Sequence, residues 1–535
     1  MDRRSRRLDR ESRSSFQATA PAALVVLGLA LVLYGAPVPR LSEELYLPLV
    51  RHTGDAAFLA GDWTMRGPFG EHWVFDHAFG PLAAALPLAA FGWIGRLVSW
   101  SILSALLIRL GGRVGLRPVP AAAGIGLWLI GNQSLIGSDW MFGTFEAKTV
   151  AYCILVGALL AATRARVALA MALLGLTLSL HPGIGVWAAA AGSITLLLDP
   201  RTRSAAFRWS WLGVLFAAPG LIGLLATLHT SSNELQRFVV LHAIPHHADP
   251  FFGGARLATA QVAVRALTLV GMLIANVVWY RRSTRSQPAR FLIVFQLILF
   301  VPVVGAFMAR AFDVWSLLLL QPLRLGPVII PLLFFWQLVR RVLHLHHNEG
   351  GKPSKWRRPS VRLAAFGFVL ALVVTSPVIA APRMASRSLH AWLDNDDEAT
   401  AFAWIRDHTP TSTRCVVPID RQDAFAIAER PIVGNWQAIR YDALGAWKRR
   451  VDALAGGAAI VEHPPAAPDE LTALRAAYNQ LTERQISAVA KRYHANCIVA
   501  TTRYALPIWH RTNGVRIYRV DHRPLNNRAR GTTVP

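Results

Sequence analysis

The chain has 535 residues, of which 53% are hydrophobic and only 16% charged, with a formal net charge of +25. That balance excludes an ordinary soluble globular protein. Arginine and lysine concentrate in short connectors between apolar runs, with no aromatic-interleaved basic patch, which argues against nucleic acid as a partner.

The N-terminal "MDRRSRRLDRESR" is followed by the apolar run "APAALVVLGLALVLYGAPVP" without a small-residue cleavage site, the pattern of a retained signal-anchor. From there the chain reads as eleven spans of the length that crosses a bilayer. They lie near 18–36, 93–111, 118–134, 147–163, 167–180, 183–198, 209–228, 258–280, 290–309, 324–340 and 361–381. Alternate connectors, such as "GGRVGLRP", "DPRTRSAAFR" and "YRRSTRSQPAR", are loaded with arginine and are cytoplasmic by the positive-inside rule. The N-terminus is then inside and, with an odd span count, the C-terminal part outside. The expected layout is a basic cytoplasmic tail (1–17), a multi-span membrane domain (18–382) with an outward first loop (37–92), and an extracytoplasmic domain (383–535). In that last region strand-length apolar runs alternate with helical stretches, which indicates a small α/β domain without a phosphate-cradling glycine loop or a nucleophile elbow. The fold class expected is mainly α: a polytopic helical membrane domain followed by that α/β domain.

The unusual polar groups fall in the connectors of the other set, which face outward. In chain order the first is "SEELYLPLV", where Glu43 and Glu44 are adjacent carboxylates at a membrane boundary. Mutual repulsion can hold a proton on one and tune the other as a base, whereas acids at a helix start also favour its dipole. "GEHWVFDHAFG" repeats a carboxylate–histidine pair (Glu71, His72, Asp76, His77), read as interfacial hydrogen bonding. "FEAKTVAY" sets Glu146 and Lys148 at the mouth of the fourth span, as a cavity group or a local ion pair. His181-Pro182 ends one span and opens the next, a site residue or a helix cap. In "PHHADP", His246 and His247 can bind phosphate as cations or metal when neutral, or are simply a solvent-facing loop pair. Arg324 in "LQPLRLGP" carries a guanidinium that matches phosphate oxygens two at a time, or else snorkels to headgroups. The three cysteines form no CxxC, so no zinc or iron–sulfur site is expected. Cys153 reads as packing, while Cys415 and Cys497 each open a strand-like run and could pair in an oxidising compartment.

The acid pair after the first span, the long first loop, the "FEAK" and "HPG" segments and the terminal α/β region together resemble the GT-C glycosyltransferase superfamily. The resemblance is greatest to a group of bacterial multi-pass proteins with a "PHH" loop, a "QPxR" turn and a tail similar to "WIRDHTP" and "AERPIVGNW". It implies a protein of the bacterial cytoplasmic membrane that transfers a sugar from a polyprenyl-phosphate donor to an acceptor on the outer face. The superfamily's essential carboxylate sits in the first outward loop as an Asp-Glu or Asp-Asp pair; here the position reads Glu43-Glu44, which leaves the choice of base open. Some members use a divalent cation and others do not. Under this reading Glu44, Glu43 and Glu146 are the catalytic candidates. His181, His246, His247, Arg324 and Lys148 are the candidates for binding the lipid-linked donor. Two other classes compete: a lipid or solute transporter, for which an internal repeat is the missing signature, and a non-catalytic envelope assembly protein.

Overall fold

The structure, a computed structural model, describes residues 3–65, 72–137, 139–229, 232–251, 259–282, 287–347, 396–462 and 470–521. The chain divides into two compact units. The first comprises Met1–Val38, Phe69–Phe75 and Ala89–Asp394, and the second Pro39–Pro68, Asp76–Leu88 and Asn395–Pro535.

Helices dominate the first unit. In chain order they are α1 (Arg3–Tyr34), then α2 (Glu43–Gly54) and α3 (Trp73–Ala85), which lie wholly or mostly in the second unit, and α4 (Leu88–Arg113). There follow α5 (Pro118–Ile130), α6 (Ala147–Ala162), α7 (Val167–Leu180), α8 (Pro182–Leu198), α9 (Arg203–His229) and the short α10 (Asn233–Phe238). A five-residue π-helical segment, Val239–Ala243, leads into α11 (Pro245–Ala248). The unit continues with α12 (Thr259–Arg282), α13 (Gln287–Ala311), α14 (Trp315–Leu319) and α15 (Gly326–His347).

Ten of the eleven expected spans coincide with α1, α4 to α9, α12, α13 and α15, while the eleventh, 361–381, lies outside the described residues. Among the described residues four helices are long and apolar enough to cross a membrane, within α4, α9, α13 and α15, and six further apolar helices are shorter. Large apolar side chains cover the outer faces: Phe207, Trp211, Val214 and Leu215 on α9, Leu267 and Ile274 on α12, Leu24 and Val25 on α1. Large apolar side chains exposed in such numbers along helices suit lipid better than water. The interior is close-packed, and Gly175 shows how tightly: a Cβ there would stand 2.2 Å from the backbone oxygen of Gly213, so α7 and α9 touch backbone to backbone. Small residues at helix crossings are the usual means of close packing where lipid supplies no hydrophobic drive.

The second unit contains α2, most of α3, and α16 (Asp397–His408), α17 (Ala424–Ile427), α18 (Leu444–Leu454), α19 (Ala458–Glu462), α20 (Glu470–Asn479) and α21 (Glu483–Arg492). Local signals set the ends of these helices. The Asp396 side chain accepts from the amides of Glu398 and Ala399, and Thr482 with Gln485 forms a capping box at the start of α21. Four short strands, β1 (Cys415–Val416), β2 (Cys497–Ala500), β3 (Ile508–Arg511) and β4 (Arg516–Arg519), make one sheet in the order β1-β2-β4-β3. β1 runs parallel to β2 and the other pairs are antiparallel. All four residues of β2 are buried, as its central position requires. Cys415 and Cys497 are register partners on neighbouring strands, both buried and both free thiols, so the conditional disulfide is not formed.

The segment after α1 packs with the C-terminal residues. α2 lies against α17, and Gln422 donates to the Leu41 carbonyl at 2.9 Å. The wholly buried Asp62 accepts from the amides of Thr64 (2.7 Å) and Ile432 (2.8 Å). Arg414 donates to the carbonyl of Gly61 and Arg440 to that of Trp63, and the guanidinium groups of Arg440 and Arg450 lie over the Trp63 ring.

Candidate functional site

In the first unit the 131–146 loop, the start of α6, the α7–α8 turn and the residues before α15 converge on a buried polar cluster. The loop is held by Gln133, whose Oε1 accepts from the amides of Met141 (2.8 Å) and Phe142 (2.9 Å) while its Nε2 donates to the Phe142 carbonyl (2.7 Å). The Trp128 indole ties the same loop to α15 by donating to the carbonyls of Gln133 and Val328. Gly137 holds the left-handed φ of +73° that favours glycine, and a Cβ there would press on the His246 carbonyl at 3.3 Å and touch Leu323 at 3.5 Å. The histidine loop and the arginine loop therefore close on the same turn.

Asp139, Glu146 and Lys148 are buried together. Lys148 Nζ lies 3.0 Å from Asp139 Oδ1 and 3.2 Å from Glu146 Oε1, and 3.8 Å above the Trp140 ring. Thr144 donates to Glu146 at 2.9 Å. Tyr152, one turn beyond Lys148 on the same face of α6, has its hydroxyl 3.1 Å from the Arg324 carbonyl and 3.4 Å from Asp139 Oδ2. Burial of a charge is tolerated only with such pairing, and one cation here answers two carboxylates.

His181 is at once the C-cap of α7 and the N-cap of α8. Its Nδ1 accepts from the Ile184 amide at 3.3 Å, and its Nε2 lies 2.6 Å from Arg324 Nη1. The His72 ring stands 5.0 Å from that of His181. His246 and His247 occupy α11, their rings 4.0 Å apart, and His247 Nδ1 is buried without a hydrogen-bond partner. Burial and the nearby Arg324 guanidinium hold all three loop imidazoles neutral, His246 pushed down to about 4 and His181 and His247 well below the usual range. Asp249 anchors this loop through an ion pair with Arg310 at 3.5 Å.

Of the residues singled out from sequence, Glu146, Lys148, His181, Arg324, His246 and His247 thus share one neighbourhood. Asp139, Tyr152 and His72 belong with them. Asp139 and Tyr152 are not among the residues the sequence singles out, and His72, expected to make plain interfacial hydrogen bonds, stands against His181. Glu43 and Glu44 belong to the second unit. Glu43 is fully buried and accepts from the Arg40 amide at 3.2 Å. The Glu44 carboxyl is pushed up to about 7, first by burial and then by the neighbouring Asp423, against the pull of a Gln422 hydrogen bond and of Arg40 and Arg421. Glu71 lies outside the described residues. Among the described residues no group of three histidine, cysteine or acidic side chains is placed to hold a metal ion.

Residues 396–454 match a family described as a domain of unknown function (DUF6798). No curated protein sequence matches the chain. Among solved structures the chain is similar to the oligosaccharyltransferase of Archaeoglobus fulgidus tethered with an acceptor peptide. The identity is 13%, over 91% of this chain and 68% of that one, with a TM-score of 0.43. It is also similar to ArnT from Cupriavidus metallidurans bound to undecaprenyl phosphate, at 14% identity over 93% of this chain and 96% of that one, with a TM-score of 0.44.

Proposed function

We propose that the chain is a polytopic membrane glycosyltransferase of the GT-C type that moves a sugar from a polyprenyl-phosphate donor to an acceptor on the extracytoplasmic face of a bacterial cytoplasmic membrane. The observation that carries the reading is the buried cluster of the first unit. It sets a guanidinium, an ammonium, two carboxylates and several neutral imidazoles inside an otherwise apolar helical body. Groups so costly to bury mark a place where charge is handled.

The reaction needs a proton acceptor for the attacking hydroxyl and a cationic seat for the departing lipid phosphate. For the second role Arg324 is the best group, with His246 and His247 beside it. Lys148 fixes the loop through Asp139 and Glu146, and this pairing makes Glu146 a positioning group more than a base. For the first role the surroundings of Glu44 favour it, since a general base works best when its pKa is close to the working pH. Its neighbour Glu43, committed to the Arg40 amide, is the weaker candidate.

The test is turnover by the purified full chain in detergent with a polyprenyl-phosphate sugar. The wild type is expected to consume the donor, and Glu44→Gln to be slower by about 10²–10⁴-fold, the usual contribution of general-base catalysis. Wild-type rates in Glu44→Gln would move the base elsewhere. A wild type that leaves every donor intact while carrying lipid or solute across vesicles would replace this reading with a transporter.

A further inference from the structure

His181 is in a contact that a neutral imidazole cannot satisfy alone. Both ring nitrogens face N–H donors, Nδ1 the Ile184 amide at 3.3 Å and Nε2 the Arg324 guanidinium at 2.6 Å. A neutral ring carries one proton, so whichever nitrogen holds it points an N–H at another N–H. The cap contact lies within one turn of backbone, where the Ile184 amide is shared between His181 Nδ1 and the His181 carbonyl at 3.2 Å, so the first turn of α8 holds ring and amide close together. The arginine contact can open, because its donor is the end of a long side chain. An oxygen with lone pairs to spare, placed between Nε2–H and Nη1–H, satisfies both at once.

A second observation points to the same place. Gln321, at φ +54°, is buried with its Oε1 unpartnered, and it stands 2.9 Å from where a Cβ on Gly183 would lie. Gly183 follows Pro182 in the first turn of α8, a helix of 17 residues, with the Arg324 Cδ 3.6 Å from that same point. A buried amide oxygen without a donor costs free energy. Turned about its last bond, the same amide offers an N–H toward the helix start, where the dipole favours an anion.

We propose that the space between His181 Nε2 and Arg324 Nη1, at the N-terminus of α8, is the seat of one phosphate oxygen, with His181 a fixed N–H donor and not a proton shuttle. The proposal rests on the function above only in taking the anion to be a phosphate. Seating the oxygen about 2.9 Å from both nitrogens requires Arg324 to withdraw by about 2 Å. Burial beside Arg324 holds the ring neutral before the anion arrives, and the proposal has it remain the Nε2–H form once the oxygen is seated.

The test separates cap from donor. In His181→Asn the amide oxygen still caps α8, since asparagine is among the best N-caps, but no N–H reaches the Nε2 position. His181→Gln loses the cap and extends an N–H toward it. Binding of inorganic phosphate and of decyl phosphate to the full chain in detergent is measured by calorimetry, beside Tm. The expected pattern is crossed. His181→Asn keeps its Tm and binds at least about tenfold more weakly, the loss of one charge-assisted hydrogen bond; His181→Gln loses Tm and keeps more of its affinity. Tighter binding of decyl phosphate identifies a lipid source and equal binding a free phosphate, and either supports the seat. Wild-type affinity in His181→Asn, or no saturable binding of either probe by the wild type, overturns it. Should both variants fail to fold, ¹⁵N-histidine spectra of the wild type decide: with decyl phosphate bound, His181 is expected as the Nε2–H form, and an Nδ1–H or doubly protonated ring contradicts the proposal. Binding is read without turnover, so a chain that transfers no sugar leaves this result standing.

Discussion

At Glu44, the proposed base, stability and the proposed reactivity would respond to pH in opposite directions. Its carboxyl is held at about 7 by burial and by Asp423, so the folded state keeps a proton that the unfolded chain gives up near the ordinary carboxylate value. A raised carboxyl contributes stability at low pH, and that contribution is lost as the pH climbs through the folded value. Glu44→Gln, which cannot ionise, is therefore expected to match the wild type in Tm near pH 4 and to exceed it at pH 8, the gap opening between about 4.5 and 7. A gap independent of pH would mean that Glu44 ionises freely. Transfer by the wild type is expected to follow the opposite course, rising as the pH passes through about 7 and the base is freed. Arg324 poses a different question, since lysine preserves its charge but not its two-pronged geometry. Arg324→Lys is expected to weaken donor binding by about tenfold or more while Tm changes little, measured by calorimetry and thermal melts on the same sample. Glu146, Lys148, His181 and Arg324 were legible in the sequence because each is a charged or titratable group at the edge of an apolar run. Asp139 was not, because it reaches Lys148 across nine positions of irregular loop, which has no period to read.

The loop between α5 and α6 owes its shape to one side chain. Gln133, itself at φ +60°, satisfies two amides and one carbonyl of residues eight and nine positions on. Gln133→Leu keeps the size and leaves those buried groups without partners, at about 1–3 kcal/mol each. We expect a clear fall in Tm together with weaker donor binding, since Asp139, Trp140 and Glu146 ride on that loop. A fall in Tm with unchanged binding would separate the loop from the site. Helices were the most legible elements of the chain, because an apolar run of bilayer length has few alternatives. Their ends were less so: α5 stops at Ile130, where the left-handed Asn132 and Gln133 turn the chain. The packing of residues 39–65 with the C-terminal part was not legible at all. It rests on Asp62, Gln422, Arg414 and Arg440 meeting across more than 350 positions, and a single sequence carries no signal of such meetings.

For the molecule as a whole, the arginine-rich connectors predict a direction across the membrane as well as a count of spans. A reporter enzyme active only outside the cytoplasm, fused after Pro535, is expected to be active, and activity of a cytoplasm-only reporter at the same point would reverse the topology. Under the proposed function, an acceptor hydroxyl attacking the anomeric carbon from one side would form the new glycosidic bond as the bond to the phosphate oxygen breaks, its proton passing to the base and the lipid phosphate leaving with that oxygen, so that the anomeric centre inverts. The most direct measurement follows both products from one donor of known anomeric configuration, using the purified full chain in lipid nanodiscs. Polyprenyl phosphate and a glycoside of opposite configuration are expected in equal amounts. Donor recovered intact, or a glycoside that retains the donor's configuration, would contradict the proposed function.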